Sequence, residues 1–147
     1  MVAIKTQGGF LLSRIRSLSG RCFERMLKSN SMDAFNGPQG RILYVLWEKG
    51  EMPITEIAHL TGLAKTTLTS MLARMEVQGL LLRIPNPQNR RQIIICLTDR
   101  ARAYRQSYEQ VSDQANELFY KGFTEPEIRA FERTLMRIIE NLEDDEP

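Results

Sequence analysis

The segment 53–79 constrains the fold most, because it holds two short amphipathic runs separated by a turn that contains Gly62. Apolar residues follow helical spacing before this glycine, and they do so again from Leu68 to Met75. Glycine accepts the backbone conformation of a sharp bend, and the small Ala58 allows a second helix to cross close to the first. The pattern predicts a helix-turn-helix whose second helix runs from Lys65 to Gln78.

A two-stranded hairpin is predicted directly after this pair of helices. Residues 80–84 and 92–97 are short runs of β-prone residues, and the polar stretch 85–91 between them contains two prolines. The hairpin is therefore expected to have a stiff, basic loop that carries Arg90 and Arg91. A helix-turn-helix followed by such a hairpin is a winged helix, which places its second helix in the major groove of DNA.

The exposed face of the second helix is rich in hydroxyl groups and cations. Short hydroxyl donors and cations suit phosphate oxygens and base edges, so this face favours contact with nucleic acid. Considered alone, the face is equally typical of an ordinary polar surface on a helix whose other side is buried. Together with the arginines of the hairpin, the candidate DNA-binding residues are Lys65, Thr66, Thr67, Thr69, Ser70, Arg74, Arg90 and Arg91.

Further helices are predicted on both sides of the winged helix. Before it, apolar residues recur at helical spacing from Phe10 to Met26, and Gly37-Pro38 fits the start of a helix that ends at Gly50. After it, Thr98 can cap one long helix, and a capping box at 124–127 starts the last one. The expected fold class is mainly α with a small β-hairpin wing.

Composition excludes several classes of protein. The chain has 147 residues, close to one domain, and 42% of them are hydrophobic and 26% charged. No apolar run reaches the roughly 18 residues that a membrane span needs, and the first residues lack the apolar block of a secretory signal. The two cysteines do not make a disulfide framework. We therefore expect a cytoplasmic protein that has no membrane partner.

The residue types that catalysis or metal binding requires are scarce. His59 is the single histidine, and the sequence shows no Ser-His-Asp set, glycine-rich phosphate loop or paired-cysteine zinc pattern. An enzyme is not expected, and neither a cofactor nor a metal site is predicted.

Charge is distributed unevenly along the chain, although the net charge is only +2. Basic residues dominate segments 1–31 and 65–91, each of which contains one glutamate, and the last eight residues are acidic without a basic partner. Because salt screens charges beyond about 8–10 Å, a polyanion would respond to the local excess rather than to the net charge. A solvated surface with an acidic tail is the alternative.

Residues 37–100 resemble the winged helix-turn-helix of the multiple antibiotic resistance regulator (MarR) family. The most specific part is the wing, where the stretch from Arg83 to Arg91 is followed by a strand that closes on Leu97-Thr98. By this resemblance, Arg91 takes the position of the family's wing arginine, which reaches into the minor groove. Asn89 stands where the family has an acidic residue, and its amide accepts hydrogen bonds but offers no ion pair.

The resemblance also implies an assembly and a mode of action. It implies one chain over residues 1–147, in which 8–36 and 99–147 are dimerisation helices and 37–98 is the DNA-binding module. Such a homodimer binds double-stranded DNA at an inverted repeat, usually as a repressor. Members of the family often release DNA when a small aromatic or anionic effector binds between the two regions.

The apolar stripes of the terminal helices favour a dimer as well, because a winged helix is already complete without them. Packing of these helices on their own domain is the alternative. The candidate intersubunit residues are Leu11, Ile15, Leu18, Tyr108, Val111, Leu118, Phe131, Leu135 and Ile138.

Two other functions remain open on the sequence. A winged helix can serve as a protein-interaction module without specific DNA binding, and Cys22 or Cys96 can be the thiol of a redox-sensing regulator. Arginines beside Cys22 favour a reactive thiolate, whereas its place in an apolar stripe favours burial. Phe35, Tyr44 and Trp47 are lipophilic candidates for an effector pocket, but we expect them to be core residues.

Overall fold

The computed structural model describes residues 4–32 and 34–147. Over these residues the chain forms seven helices and a three-stranded sheet. The helices are α1 (Gly8–Ser29), α2 (Gly37–Lys49), α3 (Ile54–Thr61), α4 (Lys65–Val77), α5 (Asp99–Ala103), α6 (Arg105–Phe119) and α7 (Glu125–Asp144). The strands are β1 (Met52–Pro53), β2 (Leu81–Asn86) and β3 (Asn89–Leu97). The prediction of a mainly helical fold with a small β wing is confirmed.

Side-chain caps explain where two of the helices begin. The Asn36 side chain accepts a hydrogen bond from the Gln39 backbone N–H at 2.9 Å, and the Gln39 side chain accepts one from the Asn36 N–H at 3.2 Å. This reciprocal capping box, with Pro38 in the first turn, fixes the start of α2. The box predicted at 124–127 is confirmed, because Thr124 and Glu127 make the same exchange at the start of α7.

The turn between α3 and α4 has the geometry that the helix-turn-helix pattern requires. Gly62 adopts φ +71°, a left-handed conformation that favours glycine over residues with a Cβ. The Leu63 backbone N–H donates to Thr61 Oγ1 at 3.3 Å, and α4 starts two residues later. Both predicted helices are therefore confirmed, and α4 presents Leu68 and Leu72 to the core.

The sheet contains a strand that the sequence did not predict. Its order is β1-β3-β2 with antiparallel pairing, and the two residues of β1 pair with Ile94 and Ile95. The sequence suggested only a helix start at Pro53 or Thr55, because proline lacks a backbone donor and is untypical of strands. Pro53 ends β1, which is an edge strand of the sheet, so its missing N–H does not remove a hydrogen bond between strands. The structure therefore tolerates a strand that the sequence did not indicate.

The wing strands are longer than the sequence predicted. The two predicted runs pair, starting with Leu81 opposite Leu97, but the ladder continues outward until Asn86 lies opposite Asn89. The predicted loop 85–91 is thus reduced to a two-residue turn, and both wing arginines belong to β3. Pro85 is tolerated because β2 is the other edge of the sheet.

The long helix predicted after Thr98 is interrupted at Tyr104. The Ala101 carbonyl accepts the Trp47 indole N–H at 3.1 Å, and it also accepts the Tyr104 N–H at 3.2 Å in a tighter three-residue turn. Arg105 then donates from Nη1 to the Trp47 carbonyl at 2.7 Å. A single-sequence pattern contains no sign of this tertiary hydrogen bond, so the break was not predictable.

The hydrophobic core lies between α2, the helix-turn-helix and the inner face of the sheet. Ile42, Leu43 and Ile57 are fully buried there. Tyr108 and Val111 of α6 belong to the same core, with 6% and 0% of their surface exposed, so their assignment to a partner interface was wrong. Their helical spacing could not show whether the partner surface belonged to this chain or to another.

The terminal helices retain much uncovered apolar surface. Leu11, Ile15, Leu18, Leu118 and Ile138 are exposed, and α7 has no buried residue. Over the described residues, no helix combines the length and the apolar character needed to cross a bilayer.

Replacement of Gly40 by alanine is expected to destabilise the protein, because the added Cβ would lie 2.6 Å from Tyr108 Cε2. We expect a loss of about 1–3 kcal/mol in the free energy of unfolding, measured by urea denaturation at fixed protein concentration. The control is Gly9→Ala, whose Cβ meets no atom within 4 Å and which should leave stability unchanged or slightly higher. Equal stability of the two variants would contradict the close packing of Tyr108 on α2.

Candidate nucleic-acid interface and adjoining cavity

The outer face of α4 is open to solvent along its length. Its inner face is formed by Leu68, Met71, Leu72 and Met75, which are buried. All the candidate residues of this helix lie on the exposed side: Lys65, Thr66, Thr67, Thr69, Ser70 and Arg74. The helix therefore presents hydroxyl groups near its N-terminus, where a major-groove helix contacts base edges.

The hydroxyl groups of α4 are not equivalent. Thr69 Oγ1 donates to the Lys65 carbonyl at 2.8 Å, so its proton is used within the helix and only its lone pairs face outward. Across the described residues, Thr66, Thr67 and Ser70 make no side-chain hydrogen bond, and their hydroxyls can both donate and accept. Direct contact with bases or phosphates therefore suits these three better than Thr69.

The two wing arginines extend from the strand that follows the turn. Arg90 and Arg91 are exposed at the start of β3. Asn89 Oδ1 accepts the backbone N–H of Arg91 at 3.1 Å, so the amide fixes the backbone beside the arginine rather than its guanidinium. Over the described residues neither arginine forms an ion pair, which leaves both cations available to an anionic partner.

An ion pair that the sequence analysis missed ties the wing to α4. Arg83 of β2 donates from Nη2 and Nε to Glu76 Oε1 at 3.0 and 3.2 Å, and its backbone N–H donates to Oε2 at 3.2 Å. The Arg83 side chain, more than the backbone bond, holds the pKa of Glu76 below its ordinary value. The residues are seven apart across the Gly79 turn, a spacing outside the helical pairs that sequence patterns reveal. The pair fixes the wing relative to α4.

A large cavity lies beside the winged helix, between α1, α2, α6 and the segment that leads into α7. Its volume is about 830 Å³. Seven of the residues that line it are aromatic: Phe23, Tyr44, Tyr108, Phe119, Tyr120, Phe123 and Phe131. Phe35 and Trp47 are buried core residues, as predicted, but Tyr44 is half-exposed at the cavity wall, so its assignment to the core was wrong.

The charged groups of the cavity wall differ in how they are bound. Glu24 Oε1 accepts the backbone N–H of Gly37 and so connects α1 to the first turn of α2. Arg16 and Arg41 also line the cavity, and neither forms an ion pair within the described residues. The cavity therefore combines a flat aromatic lining with two cations, which suits an aromatic anion.

The two cysteines occupy different environments. Cys22 is half-buried in the cavity wall. Cys96 lies on the sheet, where its thiol donates to Glu51 Oε2 at 2.9 Å. Burial raises the pKa of Cys96 to about 11, and the hydrogen bond to the Glu51 carboxylate adds to the shift. A thiol with this pKa stays protonated at neutral pH, which opposes a sensing role for Cys96.

His59 lies on the surface of α3, as its sequence context suggested. Its Nε2 is 3.8 Å from Glu143 Oε2 of α7, and both side chains are about half-exposed or more. Within the described part of the chain, no three residues of the His, Cys, Asp and Glu types come together as a metal site.

An exposed hydroxyl-rich helix fixed by an ion pair to an arginine-bearing wing defines a winged-helix DNA-binding protein. Comparison with known proteins agrees with this class. The sequence profile of the MarR family matches residues 35–93, and the chain belongs to the MarR family of DNA-binding transcriptional regulators. Its relatives are named as regulators rather than as enzymes.

Two curated relatives show how far the sequence similarity extends. The transcriptional repressor IacR of Pseudomonas putida is 30% identical over 137 residues, which cover 91% of this chain and 78% of the relative. The organic hydroperoxide resistance regulator of Bacillus subtilis is 37% identical over 62 residues, which cover 42% of each protein.

Two solved structures show the same fold at low sequence identity. A mutant of MarR from E. coli, complexed with operator DNA, has a TM-score of 0.78 and 22% identity, and the match covers 88% of this chain and 91% of that one. BpsR of Bordetella bronchiseptica, whose DNA binding is regulated by 6-hydroxynicotinic acid, has a TM-score of 0.81 and 19% identity, with coverage of 100% and 99%.

Alkylation of Cys96 by iodoacetamide is expected to be about a hundredfold slower in the folded than in the urea-unfolded protein at about pH 8, because the raised pKa reduces the thiolate. The rate is measured by mass spectrometry in a Cys22→Ser background. Addition of Glu51→Gln should speed the folded reaction, since the carboxylate that disfavours thiolate is removed. Equal rates in the folded and unfolded parent would contradict the assignment.

Proposed function

We propose that the protein is a homodimeric repressor that binds an inverted-repeat operator and releases it when a small aromatic anion occupies the cavity. The observation that carries the DNA-binding site is the placement of the α4 hydroxyl face and the wing arginines on exposed surfaces of one unit. In this arrangement α4 enters the major groove, while the wing follows the backbone to the adjacent minor groove.

The roles of the α4 residues follow from their chemistry. Thr66, Thr67 and Ser70 contact base edges or phosphates from the first turns of the helix, and Thr69 contributes only as an acceptor. Lys65 and Arg74 bind phosphates and determine the affinity and its salt dependence more than the preferred sequence.

Arg91 is the proposed minor-groove residue of the wing. Its backbone is held by the hydrogen bond to Asn89, and its cation is exposed next to Arg90. An arginine in a narrow minor groove responds to groove width and negative potential more than to base identity. Arg90 contributes to the same electrostatic attraction from the neighbouring position.

The exposed apolar surface supports the proposed dimer. An amphipathic helix without a buried residue, such as α7, exposes a face that a second copy can cover. The exposed leucines and isoleucines of α1 and α6 extend this surface. In the proposed division of the chain, residues 8–36 and 99–147 form the dimer and residues 37–98 bind DNA.

The cavity supports the proposed effector. It adjoins α2 of the DNA-binding module and the helices assigned to the dimer, so an occupant contacts both regions. A ligand changes operator affinity only if it binds one relative position of the two modules better than the other. Repression is proposed from the similarity to a named repressor, and effector release from the family resemblance together with this cavity.

Selection of bound sequences from a random duplex pool tests the dimeric DNA-binding function. We expect an inverted repeat with half-sites about one helical turn apart, because a two-fold dimer presents α4 twice. On that operator, the logarithm of the binding constant should fall linearly with the logarithm of salt concentration. A flat salt response or an unselected pool would contradict the proposal and favour a protein-interaction module.

The variant Arg91→Ala is expected to weaken operator binding by about 1–3 kcal/mol in a fluorescence anisotropy titration, because it removes the proposed minor-groove contact. The matched control is Arg129→Ala, since Arg129 lies on α7, away from the wing, and is already paired with Glu125. Operator affinity of the control should equal that of the parent. If the two variants bind equally well, Arg91 is not a DNA contact.

A further inference from the structure

We propose that Tyr108 recognises the cavity's occupant through its hydroxyl group and transmits occupancy to the DNA-binding module through its ring. The inference rests on the proposed function, because it concerns the regulation of DNA binding through the same cavity. It assigns a ligand contact and a positioning role to one residue of α6.

Tyr108 is nearly enclosed by protein but still reaches the cavity. Only 6% of its surface is exposed, and the residue is one of those that line the cavity. Its ring is packed edge-on against Phe23 of α1, with 5.6 Å between the ring centroids. Across the described residues its hydroxyl has no hydrogen-bond partner, whereas every fully buried side-chain nitrogen or oxygen of their non-exposed residues has one. A hydroxyl in this position is available to a ligand.

The surroundings of this hydroxyl indicate the chemistry of the ligand. Burial raises the pKa of Tyr108 to about 12, the positive charge of Arg41 opposes this shift, and Tyr44 adds to it. The neutral hydroxyl is therefore a donor at neutral pH, and it lies within the electrostatic reach of a cation. A carboxylate can accept from the hydroxyl and pair with Arg41, while an attached aromatic ring packs on the cavity's aromatic wall.

The ring of Tyr108 is also fixed against α2. An added Cβ at Gly40 would lie 2.6 Å from the ring, so the helix backbone and the ring are in direct contact. Trp47 lies about two turns further along the same face of α2, and 5.1 Å separates the centroids of its ring and the Tyr108 ring. A shift of the Tyr108 ring toward α2 therefore displaces α2 or Trp47, because the ring is in contact with both on that side.

Trp47 continues this connection toward the wing. Its indole donates to the Ala101 carbonyl at 3.1 Å, and Ala101 lies in α5, directly after β3. Arg105 of α6 donates a hydrogen bond to the Trp47 carbonyl. Because of these contacts, α2 changes its position relative to α5 and α6 when the Tyr108 ring moves. A ligand that binds the Tyr108 hydroxyl selects among these positions.

The experiment uses the full-length protein and benzoate, with benzamide as the neutral comparison. Binding is measured by calorimetry without DNA, and operator affinity is measured by anisotropy with and without each compound. Emission of Trp47 reports the contact directly, because it is the one tryptophan of the sequence. We expect benzoate to bind more tightly than benzamide, to change Trp47 emission and to weaken operator binding by about 5- to 150-fold at saturation.

The decisive variant is Tyr108→Phe, which removes the hydroxyl and retains the ring. We expect it to lower benzoate affinity at least tenfold and to abolish the change in Trp47 emission, with operator affinity in the absence of ligand within twofold of the parent. The matched control is Tyr104→Phe, whose ring packs against Phe35 at 5.6 Å between centroids and does not line the cavity. Arg41→Gln should remove the preference for benzoate over benzamide.

Several results would overturn the inference. These are no binding of benzoate to the parent, binding that leaves operator affinity unchanged, and equal losses in the Tyr108 and Tyr104 variants. Failure of the proposed function is distinguishable, because it would appear as loss of operator selection or of salt dependence without any ligand. If the parent binds its operator normally and Tyr108→Phe binds benzoate as tightly as the parent does, only this inference is refuted.

Discussion

The hydrogen bonds around Trp47 join α2 to the two helices that follow the wing. The indole reaches the Ala101 carbonyl and the Trp47 carbonyl receives Arg105, so α2 is bound to both helices that follow the wing. Both bonds lie in or beside the hydrophobic core, where an unpaired polar group is costly. Because α2 also packs on the helix-turn-helix, the position of α4 relative to α6 depends on this junction.

Local patterns predicted the fold because the turns and caps are local. Gly62, the Asn36 box and the Thr124 box each act within a few residues, and the structure contains all of them where the patterns placed helix ends. The break at Tyr104 depends on a tryptophan 57 positions earlier, and no local pattern shows it. The exposed face of α4 was predictable because it follows from local helical spacing. The ion pair between Glu76 and Arg83 was not, because it depends on how the wing packs against α4.

Periodicity also failed to tell apart two kinds of apolar surface. Tyr108 and Leu118 occupy one helical stripe, but the first is enclosed by its own chain and the second is open. Tyr44 shows the opposite case, since its lipophilic side chain was expected in the core and yet it is half-exposed and lines a cavity. Such differences depend on how α1 and α2 cross α6, a relation between segments distant in sequence. Sequence alone therefore indicated the surfaces but not their partners.

The two-residue strand β1 has a consequence for how regulation can act on DNA. It joins the segment between α2 and α3 to β3, while the pair of Glu76 and Arg83 joins α4 to β2. In the proposed dimer, α4 and the wing of each copy therefore keep a constant relative position. The proposed effector would then change the distance between the two copies of α4 without changing which bases each copy contacts, so it would change operator occupancy and leave operator choice unaltered.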